Sequence, residues 1–203
     1  MAWLGVGVRA RRVEWESTVL SPGYYLIPWV PFTKLEGFPG WLFVVRLALI
    51  VTSDSVYRGL RADEVTPIVS SDGRFEVVFS RVVPNDVGEI RAAVLEASNL
   101  ADVVLVTGGT GVSPRDVTVE ALESIASKRV PGLGEEHRRR SYLRVGARAL
   151  MSRSEGFVVG GALAFASPGN PDAVKVALDI LAEVAEHCLE ELRGRGHRGA
   201  HQG

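Results

Sequence analysis

Cysteine is nearly absent from this chain of 203 residues. The single one, Cys188, has no partner for an internal disulfide, so the fold must rest on its core, as suits a reducing compartment. Charge of one sign is not in excess either. With 23 basic and 24 acidic residues the formal net charge is -1, and nucleic acid is not an expected partner. Long apolar runs are missing. The longest, Trp41 to Val45, is cut by Arg46 before resuming at Leu47 to Val51, which falls short of the ~20 residues a spanning helix needs. The first residues mix Arg9, Arg11 and Arg12 with Glu14 and Glu16, which is not a basic-then-apolar leader. The expected location is therefore the cytoplasm, with no membrane partner. Two phosphate-binding signatures are also absent from the glycine-rich loop after Thr107: it contains no G-x-G-x-x-G, and no Gly-Lys-Ser/Thr follows it. At 46% hydrophobic and 23% charged, the composition excludes a disordered chain, a collagen-like repeat or a coiled coil.

What is present falls into unlike parts. Residues 1–45 hold all four tryptophans and nine of the fifteen aromatics, together with Pro22, Pro28, Pro31 and Pro39. They show no sustained period of 2 or 3.6. Proline removes a donor and stops helices, so irregular loops are expected. Two readings stand: an appendage on the main domain, or a start placed too far upstream, the chain proper opening near Val44 or Val45. The tail 193–203, rich in Gly, Arg and His, is expected to be disordered.

Between them, residues 46–192 are regular. Leu47 to Thr52, Glu76 to Val83 and Asp102 to Thr107 read as strands, the first and third apolar enough to be buried on both faces. Helices are expected over about 60–71, 86–98, 117–127 and 135–149, with a break at Pro131-Gly132. The apolar stripe of 86–98 is Val87, Ile90, Val94, Leu95 and Ala97. Gly160-Gly161 between two apolar runs signals a hairpin. A last helix follows Pro171, with Val174, Ala177, Leu178, Leu181, Ala185, Cys188 and Leu189 on one stripe. Alternating strands and helices predict a three-layer α/β/α sandwich with a mostly parallel sheet and right-handed crossovers. Ligands of such sheets bind at the carboxyl ends of strands, which here means the loops after Thr52, Thr107 and Ala166.

The loop from Thr107 to Thr118 carries the strongest signal. Gly108, Gly109 and Gly111 leave backbone N–H groups unshielded, and the loop runs into a helix N-terminus, which suits a phosphate. The alternative is a tight turn that needs glycine only for its geometry. Asp116 is read either as a helix cap, with Val117 opening the first turn and Glu120 at the capping-box distance, or as a ligand for a divalent cation beside the phosphate. After the first strand, Ser53, Asp54 and Ser55 suit a ribose or a phosphate, or form a solvated turn. The segment Ser167-Pro168-Gly169-Asn170-Pro171 leads into a helix and offers a second anion site. His137 to Arg140 form a basic cluster read chiefly as a solvated helix face, with a phosphate clamp or a subunit contact as the alternatives.

The string TGGTGVSPRDVTVEAL, with SDS upstream and MSRSEG and SPGNPDAV downstream, resembles the MogA/MoaB-type molybdopterin adenylyltransferase family over about residues 46–192. The resemblance implies a MogA-like fold in a homotrimer or trimer-based hexamer. It implies molybdenum or tungsten cofactor synthesis by adenylyl transfer from Mg-ATP to molybdopterin, with Mg2+ as cofactor, ATP as co-substrate and pyrophosphate released. Carried onto this sequence, Gly108, Gly109, Thr110, Gly111 and Ser152, with Pro168, Gly169 and Asn170, would bind the pterin substrate. Ser53, Asp54 and Ser55 would lie on the nucleotide side. Asp116 would serve metal and catalysis. The chain departs from the family where Asn85 stands in place of an expected aspartate, leaving Asp86 next door as a substitute metal carboxylate. It departs again at Asp63-Glu64-Val65-Thr66-Pro67, which lacks the family's serine and glycine. These departures bear on catalysis more than on binding. The alternatives are a molybdopterin carrier without transferase activity and a related domain acting on a different pyrophosphate.

Overall fold

The computed structural model describes residues 44–194. The readings for residues 1–43 and 195–203 lie outside the described residues. Strands β1 (Val45–Thr52), β2 (Phe75–Val83), β3 (Val103–Thr107), β4 (Lys128–Val130), β5 (Glu155–Val159) and β6 (Ala162–Ser167) form one sheet in the order β2-β1-β3-β6-β5-β4. β1 pairs in parallel with β2 and β3, and β3 with β6, whereas β5 runs antiparallel to both its neighbours. The helices are α1 (Asp54–Tyr57), α2 (Thr66–Ser70), α3 (Val87–Ser98), α4 (Thr118–Glu123), α5 (Pro131–Val145) and α6 (Pro171–Leu192), and a 3-10 turn (Gly146–Met151) follows α5.

Strand alternation divides the core in two. Leu47, Leu49 and Val51 of β1, Val103 and Leu105 of β3, and Leu163 and Phe165 of β6 face α2, α5 and α6. Ala48, Ile50, Val104, Val106, Ala164 and Ala166 face α3 and α4. The central strands are thus apolar on both sides because helices cover both. The result is the three-layer sandwich with a mostly parallel sheet expected from the sequence. Cys188 is half-buried against the α6 side of the core.

The helix termini are built locally. Asp86 caps α3 by accepting from Glu89 N at 3.0 Å, and Asn170 caps α6 by accepting from Ala173 N at 3.0 Å, with Pro171 in the first turn. Several expectations need correction. Of the helix expected over 60–71 only the short α2 forms, entered through a turn that Asp63 fixes by accepting from Val65 N and Thr66 N, while α1 lies upstream of that span. On α3, Leu95 is 43% exposed and Ala93 takes its place in the stripe. α4 ends at Glu123, well short of residue 127. Pro131 opens α5 instead of breaking the chain before it, since a first-turn proline forfeits no helical hydrogen bond. Val45 pairs in β1, and Arg193 follows α6 directly instead of starting a tail.

Asp102, at the entrance to β3, is buried and joins three elements. Its carboxylate accepts from Arg46 N, Nε and Nη2, each at 3.1 Å, and from Arg193 Nη2 at 2.9 Å. Burial pushes the Asp102 carboxyl up, but the Arg46 guanidinium and backbone N–H outweigh it and hold the group below its ordinary value. Because the carboxyl titrates lower folded than unfolded, its contribution is complete above the unfolded value of about 4. That contribution is lost as acid takes the pH down through the folded value. Asp102→Ala is expected to cost about 1.5 kcal/mol in urea unfolding at neutral pH, the low end for charged hydrogen bonds because Arg46 is half exposed. The deficit relative to the native chain should shrink at acid pH. A deficit that stays constant down to pH 2 would show that packing, not charge, carries the effect.

Candidate functional site

The register brings the ends of four strands to one edge, with Thr52 beside Val83 and Thr107 beside both Val51 and Ser167. The β3–α4 loop rises from this edge. Gly108 and Gly109 adopt φ of 97° and 60°. A Cβ on Gly108 would meet Thr52 O at 2.2 Å, and one on Gly109 would meet Thr118 Oγ1 at 2.5 Å. Both glycines are therefore demanded by turn geometry and close packing, whatever the loop also binds. Thr118 Oγ1 donates to Gly108 O at 2.7 Å, Thr118 N to Gly109 O at 3.0 Å, and Thr52 Oγ1 to Thr107 O at 2.8 Å. Gly108 N donates to Ser167 O at 2.9 Å, and Gly169 packs against Gly108 with no room for a side chain. The N–H groups of Gly109, Thr110 and Gly111 donate to no group among the described residues. Such a row of unclaimed donors is what an anion cradle requires.

The outer half of the loop is pinned by Arg153. Its backbone N donates to Thr110 O at 2.8 Å, its Nε to Gly111 O at 2.7 Å and its Nη2 to Asp116 O at 2.7 Å. Its remaining nitrogen pairs with Glu120, and that bond holds the Glu120 carboxyl below its usual range. The capping-box reading is corrected here. The residue before α4 is Val117, no side chain caps the helix, and Glu120 is engaged with Arg153. Asp116 instead folds back over Gly111, its Oδ2 accepting from Ser113 N at 3.0 Å.

On one side of the loop lies a polar cluster. Ser53 Oγ caps α1 by accepting from Val56 N at 3.3 Å and stands 3.2 Å from Ser55 Oγ. Asp54 accepts from Asn85 N at 3.1 Å and Asn85 Nδ2 at 3.3 Å, and it pairs with the Arg115 guanidinium. The Asn85 N–H and then the Arg115 guanidinium hold the Asp54 carboxyl below its ordinary value. Asn85 Oδ1 is buried without a partner, 2.9 Å from where a Gly109 Cβ would stand. Thr107 Oγ1 is likewise buried and unpartnered. Asp86, expected beside Asp116 as a metal carboxylate, caps α3 with its Oδ1. No cluster of three or more His, Cys, Asp or Glu residues able to hold a metal occurs among the described residues. What exists are hard oxygens, a carboxylate at Asp116 and the orphaned amide oxygen of Asn85. These fit Mg2+, which commonly takes one or two protein oxygens and completes its shell with phosphates and water.

On the other side opens a cavity of about 470 Å³. Thr110, Gly111, Ser152, Pro168 and Asn170 line it, so five of the eight substrate residues named from the sequence share one wall space. Gly108, Gly109 and Gly169 do not line it; Gly169 packs against Gly108, and Gly109 against Thr118 and Asn85. His137, Ser141, Arg144 and Arg148 also line it and were missed. The cluster at 137–140 is not a uniformly solvated face. His137 is 1% exposed, and Arg138 Nη1 donates to Ser154 O at 2.8 Å. Only Arg139 and Arg140 carry surface ion pairs, to Glu136 and, for Arg140, Glu183. The available signal was spacing: Gly134, His137, Arg138, Ser141 and Arg144 recur at helical intervals on α5, whereas Arg148 lies on the 3-10 turn beyond it.

Residues 48–187 match the family profile described as a probable molybdopterin binding domain. A molybdopterin adenylyltransferase of Pyrococcus furiosus is 32% identical over 155 residues, covering 73% of this chain and 91% of the relative. A molybdenum cofactor biosynthesis protein B of Staphylococcus epidermidis is 34% identical over 158 residues, covering 73% of this chain and 89% of the relative. Among solved structures, the tungsten cofactor synthesizing protein MoaB of Pyrococcus furiosus superposes with a TM-score of 0.70 at 32% identity, covering 74% of this chain and 98% of that one. With the profile spanning the sheet, the glycine loop and most of α6, this chain belongs to the MogA/MoaB-type molybdopterin-binding domain family.

Proposed function

We propose that this protein acts in molybdenum or tungsten cofactor synthesis by transferring AMP from ATP to the terminal phosphate of molybdopterin. The observation that carries the reading is the two-sided layout of the β3–α4 loop. A cavity large enough for a pterin lies on one side, and the Asp54–Asn85–Arg115 cluster lies on the other. The loop's unclaimed N–H groups stand between them, where the phosphate of one substrate would meet the phosphates of the other.

In the transfer, a phosphate oxygen of molybdopterin attacks the α-phosphorus of ATP. The bond from the α-phosphorus to the bridging oxygen breaks, and pyrophosphate leaves. Little covalent work falls to the protein, whose part is to position the two phosphates and offset their charge. Thr110 and Gly111 would orient the acceptor phosphate through their backbone N–H groups. Arg144 and Arg148, at the cavity wall, would favour an anionic ligand. Arg115, mostly exposed and held by Asp54, would face the nucleotide phosphates. Magnesium, held by Asp116 and Asn85 Oδ1 with Asp86 nearby, would neutralise charge on the triphosphate and the leaving pyrophosphate.

One observation favours a second reading, a pterin carrier. Asn85 brings no charge to the metal, and its Nδ2 donates to Asp54. Incubation with molybdopterin, ATP and magnesium, followed by chromatography for adenylylated pterin, separates the two. Tight pterin binding with no product at any magnesium concentration would leave the carrier reading standing.

Asp116→Asn keeps an oxygen for Ser113 N, so the loop should hold its shape. Turnover is expected to fall about 100-fold or more, with pterin affinity little changed. Equal turnover in both forms removes Asp116 from the chemistry. Asn85→Asp sets a carboxylate beside Asp54 and removes the Nδ2 donor. Without magnesium the variant should lose about 1 kcal/mol of stability, and millimolar magnesium should restore its Tm while leaving the native Tm nearly unmoved. A variant whose Tm ignores magnesium shows that this position does not face the metal.

A further inference from the structure

His137 lies buried on α5 with its ring edge-on to Phe165, the centroids 5.8 Å apart. Its Nε2 is 3.0 Å from Ala173 O, its Nδ1 is 3.3 Å from Ser154 Oγ, and Ser154 Oγ is 2.7 Å from Ser152 Oγ. The direction of every proton in this chain follows from its far end. A carbonyl only accepts, so Nε2 carries the hydrogen. Burial pushes the His137 pKa down, and the nearby Arg138 charge acts the same way, so at neutral pH the ring is uncharged and Nδ1 is bare. Ser154 must then donate to Nδ1. Having one proton, it must accept from Ser152. Ser152 Oγ also accepts from Ser154 N at 3.2 Å, which leaves it one lone pair and no proton.

We propose that this one-way relay, Ser152 to Ser154 to His137 to the Ala173 carbonyl, makes Ser152 an acceptor-only reader of the cavity's ligand, selecting the edge of a heterocycle that offers an N–H. His137 and Ser154 are positioning residues that act through Ser152. Ser154 is fully buried, and α5 presses so closely that a Cβ on Gly134 would stand 1.9 Å from Ser154 O, which leaves the relay little freedom to reorganise. The proposal rests on the cavity being the pterin site. It deepens that reading by naming the chemistry selected: the 2-amino and N3–H edge of a pterin presents such donors, and an alkylated edge does not.

The test has two arms. Nitrogen-15 spectra of the native protein at neutral pH, with His137 assigned through His137→Phe, should show the Nε2–H tautomer. The Nδ1 resonance should shift in Ser154→Ala. A ring protonated on Nδ1 overturns the relay. In the second arm, fluorescence titrations compare pterin with its 3-methyl and 2-dimethylamino analogues. Native protein should prefer pterin over at least one analogue by about tenfold, the worth of one neutral hydrogen bond. Ser154→Ala, which frees the Ser152 proton, should bring that ratio close to one. If that variant does not fold, His137→Phe removes the Nδ1 that accepts from Ser154 and should do the same. A preference unchanged in the variants is steric and refutes the proposal. Native protein that takes none of the three pterins refutes the cavity reading and the proposal with it. That failure is distinct from failure of the relay alone, in which pterin binds but Nδ1 carries the proton.

Discussion

Two backbone carbonyls at the top of β3 govern this molecule. Thr107 and Gly108 are buried where the strand ends, and a buried carbonyl without a donor costs heavily. Thr52 and Thr118 supply the donors, their hydroxyls 3.2 Å apart between β1 and α4. At this joint Gly108 and Gly109 take positive φ, Gly169 packs onto Gly108, and the next N–H groups are left without a partner among the described residues. The cavity wall, the polar cluster and the start of α4 all take their places from it. Glycine is required first to let the loop close on its own hydroxyls, and the unclaimed donors are what that closure leaves exposed.

Around this joint, the two sides of the loop differ in electrostatic character. On the side of Asp54, charges are already matched, since Asp54 is held by Asn85 and Arg115. On the cavity side, Arg144 and Arg148 enter no ion pair among the described residues, though Asp172 lines the same cavity. An anion arriving at the cavity meets two arginines not held by a carboxylate, whereas one arriving at Arg115 must compete with Asp54. The two sides of the loop thus receive an anion on different terms, and on the cavity side no ion pair of these arginines has to break first.

The parts of the fold legible in the sequence are those whose burial is two-sided. β1, β3 and β6 read as uninterrupted apolar runs because helices cover both faces, and the strand-end rule then pointed to loops that the fold gathers at one edge of the sheet. β4 left no such trace: it is three residues long, at the sheet edge, with Lys128 and Arg129 exposed. Asp116 shows a local signal losing to a tertiary one, since Arg153 claims the Glu120 that a capping box would need. His137 was hidden by its basic neighbours. A run of His and Arg suggests solvent, but the close approach of Gly134 to Ser154 turns one side of that helix inward. Around the loop, the glycines, Ser152, Pro168 and Asn170 were readable as a string, whereas the α5 residues that complete the cavity show only a helical spacing, which does not say that this face turns inward.

The reversed strand β5 has a consequence of another kind. In a parallel sheet only segments leaving strands reach the ligand edge. Because β5 runs backwards, the segment entering it, Ser152 to Ser154, arrives at that same edge, with Glu155 opposite Ala166. The height of those serines is set at the far end of the sheet, where Gly160 and Gly161 make a two-residue turn with φ of 58° and 87°. The hairpin is a ruler whose zero mark lies on the opposite face of the molecule. A one-residue insertion at its tip would slide the scale by one strand position and carry Ser152 and Ser154 off their marks. Loop-length variation there, remote from every ligand, is therefore under the same geometric constraint as the pocket itself.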